Sequence, residues 1–220
     1  MRVLVVEDEQ HLAAQMREAL EGNGFVVDVV NDGNEAVYMG NHETYDAAVL
    51  DLGLPGRDGL SVLHDWRQHG RTLPVVILTA RDGWSEKVQG FRAGADDYVT
   101  KPFRMEEIIM RLRALIRRAS GHADVMIRSG ELEYDTQLGT FHLAGLPLKL
   151  TAFEHQLLVY LIHNAERVVS RTELSEHLYS YDNDRDHNSL EVIISRLRRK
   201  VGAERIETLR GQGYRLCGRS

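Results

Sequence analysis

A chain of 220 residues is long for one domain and sufficient for two, each able to bury a core, and its single cysteine, Cys217, excludes a disulfide framework or a cysteine-rich zinc site. The net charge of −6 argues against an all-over basic coat for nucleic acid. The first apolar run, Val3-Leu4-Val5-Val6, is too short for a signal peptide and no later segment approaches membrane-spanning length, so a soluble cytoplasmic protein with no membrane partner is expected.

Periodicity divides the chain. Short apolar strands are predicted over residues 2–6, 25–30, 46–50, 75–79 and 97–100, alternating with amphipathic helices near 9–22, 33–41, 58–69, 83–93 and 105–118. Five βα units in succession predict an α/β fold, a five-stranded doubly wound parallel sheet with helices on both faces. After Arg117-Arg118, the run Ala119-Ser120-Gly121-His122-Ala123-Asp124 is small and polar, without an apolar period. Residues 119–124 are therefore expected to link a domain of residues 1–118 to a second of residues 125–220. From Val125 to Leu150, short alternating strands are punctuated by turn signals at Ser129-Gly130, Gln137-Leu138-Gly139 and Ala144-Gly145. Helices follow, two of them starting on apparent capping boxes, Thr151 with Glu154 and Ser170 with Glu173. A hairpin around a glycine turn over residues 206–216 closes the chain. Strands, three helices and a terminal hairpin spell a winged helix-turn-helix domain.

The strand ends of the first domain carry the chemistry. Glu7-Asp8 closes the first apolar strand, Asp51 follows Ala47-Ala48-Val49-Leu50, Thr79 closes the run Val75-Val76-Ile77-Leu78, and Lys101-Pro102 follows Asp97-Tyr98-Val99-Thr100. Each alone reads as an ordinary polar residue at a strand mouth. Together they supply acid, acid, hydroxyl and amine outside the carboxyl ends of an open α/β sheet, where such sheets form their sites. Glu7, Asp8 and Asp51 would repel one another unless a hard cation entered, and Mg²⁺ suits carboxylates, water and phosphate oxygen. With the charge neutralised, Asp51 can attack a phosphoryl group as a carboxylate nucleophile. Thr79 and Lys101 would contact the other phosphoryl oxygens.

Glu7-Asp8, Asp51, Thr79-Ala80 and Lys101-Pro102, in that order, resemble the receiver domain of bacterial response regulators over residues 1 to about 118, a flavodoxin-like fold. The resemblance implies that Asp51 is the phosphoacceptor of a sensor histidine kinase. It also implies that the Gly53 backbone carbonyl joins Glu7, Asp8 and Asp51 around Mg²⁺. A nucleotide-binding sheet would need a glycine-rich turn where Glu7-Asp8-Glu9-Gln10 stands, and an Asp-x-Asp phosphotransferase would need an acid where Gly53 stands. Two rival readings remain: a receiver-like aspartyl phosphotransferase with an accessory module, and a DNA-binding protein indifferent to phosphorylation. The reading adopted is a regulator and not an enzyme, one that accepts and slowly loses its own phosphoryl group.

The stretch Gly94-Ala95-Asp96-Asp97-Tyr98-Val99-Thr100-Lys101-Pro102-Phe103 resembles the OmpR/PhoB family of these regulators. In that family the threonine hydroxyl moves toward the phosphoryl group and an aromatic on the fifth strand turns inward behind it. Here those switch residues are Thr79 and Tyr98, with a half-buried core tyrosine as the lesser alternative for Tyr98. In that family the fourth helix, fifth strand and fifth helix form a two-fold dimer face of ion pairs. The matching candidates are Lys87, Asp96, Asp97, Glu107, Arg111, Arg113 and Arg118, and phosphorylation is expected to drive homodimerisation. Within the family the likeness is closest to PhoP-type regulators, from Asp51-Leu52-Gly53-Leu54-Pro55 and Leu78-Thr79-Ala80-Arg81-Asp82-Gly83-Trp84 to Arg210-Gly211-Gln212-Gly213-Tyr214.

The second half explains how an acidic protein could still meet DNA. Residues 1–118 hold 14 basic and 19 acidic side chains, residues 119–220 hold 13 and 14, and Arg196, Arg198, Arg199, Lys200, Arg205, Arg210, Arg215 and Arg219 crowd the C-terminal end. On a wheel of about 100° per residue, Leu190, Ile193, Ile194, Leu197 and Val201 share one face. The opposite face carries Asn188, Val192, Ser195, Arg196 and Arg199. A plain solvated helix would rarely present that valine, whereas a major-groove helix could set it on a thymine methyl, with Arg196 or Arg199 on guanine or phosphate. The segment from Thr208 to Tyr214 resembles the family's wing, which makes Arg210 the minor-groove candidate. Double-stranded DNA with tandem half-sites is the expected partner. The stretch Leu178 to Arg185 is long for a helix-turn-helix connection, and in this family that loop can touch RNA polymerase.

Overall fold

The structure, a computed structural model, describes residues 1–80, 90–180 and 190–218. The chain divides into two compact units, one of residues 2–119 and one beginning at Ser120.

In the first unit the apolar runs form five parallel strands: β1 (Arg2–Val6), β2 (Val26–Val30), β3 (Ala47–Asp51), β4 (Val75–Thr79) and β5 (Asp97–Thr100), in the order β2-β1-β3-β4-β5. Every residue of β1, β3 and β4 is buried, which is why these strands read as continuous apolar runs and not as alternating ones. Helices α1 (Gln10–Glu21), α2 (Gly33–His42), α3 (Gly59–Gln68) and α4 (Met105–Ala119) cover the sheet. The α4 helix buries Ile108, Ile109, Leu112, Leu115 and Ile116 along one stripe. The helix expected near 83–93 falls largely outside the described residues; Gly90 to Ala93 are helical.

One half of the core lies between the sheet and the α2–α3 pair, where Leu4, Leu50 and Ile77 meet Ala36, Met39 and Trp66. Trp66 is fully buried, and its indole N–H donates to the Ala36 carbonyl at 3.1 Å. One helical turn beyond Ala36 stands Gly40, where a Cβ would lie 2.2 Å from the indole nitrogen. The bare backbone of α2 is what admits the large ring.

The second unit opens with an antiparallel meander: β6 (Met126–Ser129), β7 (Leu132–Asp135), β8 (Thr140–Leu143) and β9 (Leu146–Pro147). The signalled turns join these strands, with left-handed backbone at Gly130, Gly139, Ala144 and Gly145. Next come α5 (Ala152–His163), α6 (Arg171–Leu178), α7 (Leu190–Val201) and the wing strands β10 (Ile206–Leu209) and β11 (Gly213–Leu216). The α5 helix is buried on nearly all sides and forms the centre of this unit. Its capping box is complete, with Thr151 and Glu154 each bonding the other's backbone N–H. The Ser170 box is only half made. The Ser170 hydroxyl accepts from the Glu173 N–H at 3.1 Å, but the Glu173 carboxylate is held by Arg167 and by the Tyr160 hydroxyl and does not turn back to the cap. Within the segment expected to be a linker, the Ser120 hydroxyl bonds the buried His163 ring at 2.8 Å. Among the described residues no helix is long and apolar enough to cross a membrane.

Replacing Gly40 with alanine forces the indole off its seat. The Gly40→Ala protein is expected to lose about 1–3 kcal/mol, as overpacked cores do, read as a lower urea midpoint with unchanged slope. An unchanged midpoint would show that the helices slide apart without cost.

Candidate functional site

Strand register assembles the first site. Val6 pairs with Leu50, Asp51 with Leu78 and Thr79 with Thr100. Glu7, Asp51, Thr79 and Lys101 thus emerge at one edge of four adjacent strands. Glu7, Asp51 and Thr79 are buried, while Asp8 is exposed. Carboxylate oxygens of Glu7, Asp8 and Asp51 all lie within 4.8 Å of one another. The Lys101 ammonium donates to both Glu7 oxygens, at 3.0 and 2.8 Å, and to Asp51 Oδ2 at 3.0 Å. Asp51 Oδ1 accepts from the Leu52 N–H at 2.8 Å. Gly53 is exposed, and a Cβ there would come within 3.8 Å of Asp51 Oδ2, so its backbone lies beside the Asp51 carboxylate with no side chain over it.

Electrostatics follow from this burial. Desolvation pushes the Glu7 carboxyl above the ordinary glutamate range against the pull of its Lys101 bonds, and the Asp51 charge adds to the rise. Burial alone would lower the Lys101 ammonium, but its bonds to Glu7 and Asp51 outweigh that and hold it above the ordinary lysine value. One ammonium facing three carboxylates leaves the pocket anionic. An all-oxygen donor set of this kind suits a small hard dication.

Tyr98 is buried, with its ring centroid 5.1 Å from that of Phe91. Its hydroxyl fills the space a side chain at Gly90 would take. The charged candidates around β5 do not form one group. Arg111 bonds Asp97 at 2.7 Å and Glu107 at 2.8 Å, and Arg118, two turns further along α4, is exposed on the same side. Arg113 points instead toward the end of α1, where it meets the Asn23 carbonyl at 3.3 Å. Asp96 accepts from Arg67 at 3.2 Å and from the Val75 N–H at 2.8 Å, which ties it to its own chain. Lys87 lies outside the described residues.

The second site is on α7 and the hairpin. Ile193, Ile194, Leu197 and Val201 are buried and Leu190 partly so, which leaves Val192 at 41% exposure among exposed Ser195, Arg196 and Arg199. Arg210 is exposed in the turn after β10. Asn188, Arg219 and most of the loop after Leu178 lie outside the described residues. The basic cluster proves smaller than its sequence suggests. Lys200 bonds Glu154 at 2.6 Å, Arg205 bonds Glu131 at 2.8 Å and Arg215 bonds Glu207 at 2.6 Å. Burial alone would raise the Glu154 carboxyl, yet Lys200 and the Thr151 cap hold it below the ordinary glutamate value. Arg198 turns to the hairpin, bonding the Ile206 carbonyl and the Thr208 hydroxyl. Arg196, Arg199 and Arg210 are exposed and make no ion pair among the described residues.

Sequence reading missed Arg171, whose guanidinium pairs with Glu191 of α7 at 2.8 Å and stands 5.9 Å from the Tyr214 ring. It sits at the start of α6, outside the basic run that drew attention. Arg198 carried a usable signal, since it falls about 200° round the wheel from Arg196 and could not share its face.

Comparison with known proteins finds a family for each unit. The family described as response regulator receiver domain matches residues 3–113, and that described as transcriptional regulatory protein, C terminal, matches residues 145–216. The two-component response regulator PhoP of Pseudomonas aeruginosa is 45% identical over 218 residues, covering 97% of each chain. The transcriptional regulatory protein TctD of Salmonella typhimurium is 45% identical over 216 residues, covering 97% of this chain and 96% of that one. Among solved structures, the receiver domain of the Francisella response regulator 1452 is 38% identical with a TM-score of 0.52, covering 54% of this chain and 98% of that one.

Without the Lys101 ammonium, the buried carboxylate loses the bonds that restrain it. In Lys101→Met the Glu7 titration is expected to move further up, read by carboxyl carbon NMR. A carboxyl whose folded value exceeds its unfolded one weakens the fold as pH rises through that value. The variant should therefore lose stability relative to the parent from mildly acidic toward neutral pH. An unmoved Glu7 titration would mean the ammonium does not govern the pocket.

Proposed function

Because the chain belongs to the OmpR/PhoB family of two-component response regulators, we propose that Asp51 is its phosphoacceptor and that phosphorylation controls DNA binding through dimerisation. The observation that carries this reading is the Lys101 ammonium bonded to both Glu7 and Asp51 at the mouth of the sheet. Asp51 is the carboxylate of the pair that also has open backbone, Gly53, at its side.

The donor phosphohistidine of a sensor kinase is attacked by an Asp51 oxygen. The new O–P bond forms as the P–N bond breaks, and the imidazole leaves. Glu7, Asp8, Asp51 and the Gly53 carbonyl would hold Mg²⁺, which supplies charge neutralisation for the transferred group when bound. Lys101 stays on the phosphoryl oxygens after transfer, its bond to Asp51 redirected to the new anion. Thr79 takes another of those oxygens, and Tyr98 packs behind it. Asp97, Glu107, Arg111 and Arg118 then contribute to a two-fold face with Lys87. Single exposed pairs of this kind are worth about 0–1 kcal/mol, so the two-fold repeat and their joint action matter. Asp96 and Arg113 serve the same face only if they release Arg67 and Asn23.

The second unit reads DNA. Val192, Ser195, Arg196 and Arg199, with Asn188, enter the major groove, and Arg210 reaches the minor groove. The family domains support a histidine kinase and DNA as partners, and contact with RNA polymerase through the loop after Leu178 is a further proposal. Residues 119–124 join the receiver to the DNA-binding unit. Half-sites are expected about 10–10.5 bp apart.

Two experiments test this reading. Wild type incubated with Mg²⁺ and a small acyl phosphate should gain one phosphoryl group and shift toward dimer in sedimentation, whereas Asp51→Ala should fold, gain none and stay monomeric; equal dimer in both would remove the switch. Arg210→Ala should weaken duplex binding by about 1–3 kcal/mol while accepting phosphoryl normally. Unchanged affinity would exclude the wing from the interface.

A further inference from the structure

We propose that Arg198 is a positioning residue, a strut that fixes the wing against the recognition helix so that Arg210 and the outward face of α7 reach one DNA site together. The inference rests on the DNA-binding reading of α7 and the wing, and it adds a residue whose role is to couple the two without itself touching DNA.

The two wing strands are held differently: β10 is anchored at its start by the buried Ile206 side chain and by the Arg205–Glu131 pair, and its outer backbone edge is not paired with another strand among the described residues. Strand β11 is tied to the body of the unit by backbone bonds: the Val169 N–H donates to the Tyr214 carbonyl at 2.8 Å, the Tyr214 N–H to the Val169 carbonyl at 2.9 Å, and the Glu166 N–H to the Leu216 carbonyl at 2.9 Å. Those bonds turn the polar groups of Tyr214 and Leu216 away from β10. Their register partners, Thr208 and Ile206, must then turn theirs away from β11, because opposed residues in an antiparallel pair share bonding state. The Ile206 carbonyl thus lies on a free strand edge. Close packing at Gly213, where a Cβ would come 2.0 Å from the Val169 carbonyl, keeps β11 where it is and does nothing for β10.

Arg198 occupies that free edge. Its Nε and Nη2 donate to the Ile206 carbonyl at 2.9 and 2.6 Å, and Nη2 also reaches the Thr208 hydroxyl at 2.6 Å. A single planar fork therefore spans two residues of β10, ending two positions before Arg210. Lysine carries the charge but not the fork. On the other flank of α7, Lys200 bonds Glu154 and the Lys149 carbonyl, which fastens the helix to α5. The body holds the recognition helix, and the recognition helix holds the outer wing strand. Disturbing Arg198 should leave the helix seated and release the strand that leads to Arg210.

A double-mutant cycle on the full-length chain tests this, using a duplex that the wild type itself selects from a random pool and fluorescence anisotropy at several salt concentrations. Arg210→Ala and Arg198→Ala are each expected to weaken binding about tenfold. The double variant should be little weaker than either, since a wing already released gains nothing from Arg210. Arg196→Ala should combine multiplicatively with Arg198→Ala, because the seated helix does not depend on the strut. Arg198→Lys should behave as Arg198→Ala in the cycle with Arg210, and this variant keeps the experiment decisive if the alanine protein fails to fold. Multiplicative losses for Arg198 and Arg210, or a salt slope reduced by about one in Arg198→Ala with the Arg210 effect intact, would make Arg198 an ordinary phosphate contact and overturn the proposal. If Arg210→Ala alone has no effect, the wing reading fails first, and the strut with it.

Discussion

The receiver unit depends on one ammonium. Lys101 reaches back across the sheet to Glu7 and Asp51, 94 and 50 positions earlier in sequence, and holds two buried carboxylates that would otherwise repel each other in a poorly solvated pocket. Removing such groups from water is expensive unless they are paired and hydrogen-bonded. The contact works only if β1, β3, β4 and β5 lie side by side in their observed register, so the chemistry at the strand ends and the sheet order beneath it are one constraint. Any group that adds charge to Asp51 must redirect Lys101, because this ammonium bonds Asp51 and Glu7 at once. That makes the pocket sensitive to a change too small to disturb the core.

The opposite pole of the same sheet shows what a purely structural charge cluster looks like. Arg2, at the start of β1, bonds Asp28 at 2.7 Å and Glu43 at 3.1 Å, and its side chain and that of Asp28 are almost wholly buried. Its backbone N–H goes to Asp46 at 2.6 Å, and its guanidinium lies over the Tyr45 ring. Burial alone would lower the Arg2 guanidinium, but Asp28 and its other partners raise it above the ordinary value. Here a five-donor cation is enclosed by its acceptors. At the carboxyl ends a three-donor cation faces three carboxylates, one of them exposed, and the surplus negative charge looks outward. Both poles are ionic, but at the carboxyl ends one of the clustered carboxylates, Asp8, is exposed and has no bond to the cation.

Legibility in the sequence followed the range of the interaction. The strands were readable because a buried parallel strand is apolar along its whole length, and the site residues were readable because each stands one step past such a run. The recognition helix was readable for the same local reason, its buried face repeating at helical spacing. What escaped depended on who stands opposite. Ser170 and Glu173 have capping-box spacing, yet Glu173 found Arg167 and the Tyr160 hydroxyl first. Arg111 and Arg113 look equivalent in a basic run, but about 200° of helix separates them and only Arg111 faces Asp97. Asp96 looks like a surface charge until Arg67 and the Val75 N–H are seen to hold it.

The C-terminal arginines carry the same lesson into function. Eight basic residues in a short segment suggest a strongly attracting surface, but Arg198, Lys200, Arg205 and Arg215 are engaged inside their own unit. Arg196, Arg199 and Arg210 remain exposed there, on a chain with a net charge of −6. Nonspecific affinity grows with the number of phosphates neutralised and falls steeply with salt, so one such unit offers few contacts with which to hold DNA. Two units joined through their partners' receivers would double the count and make the second binding event intramolecular, at an effective concentration set by the connection between them. A sparse DNA-facing surface of this kind would suit the proposed control by pairing, since a second copy alongside would supply the contacts that one unit lacks.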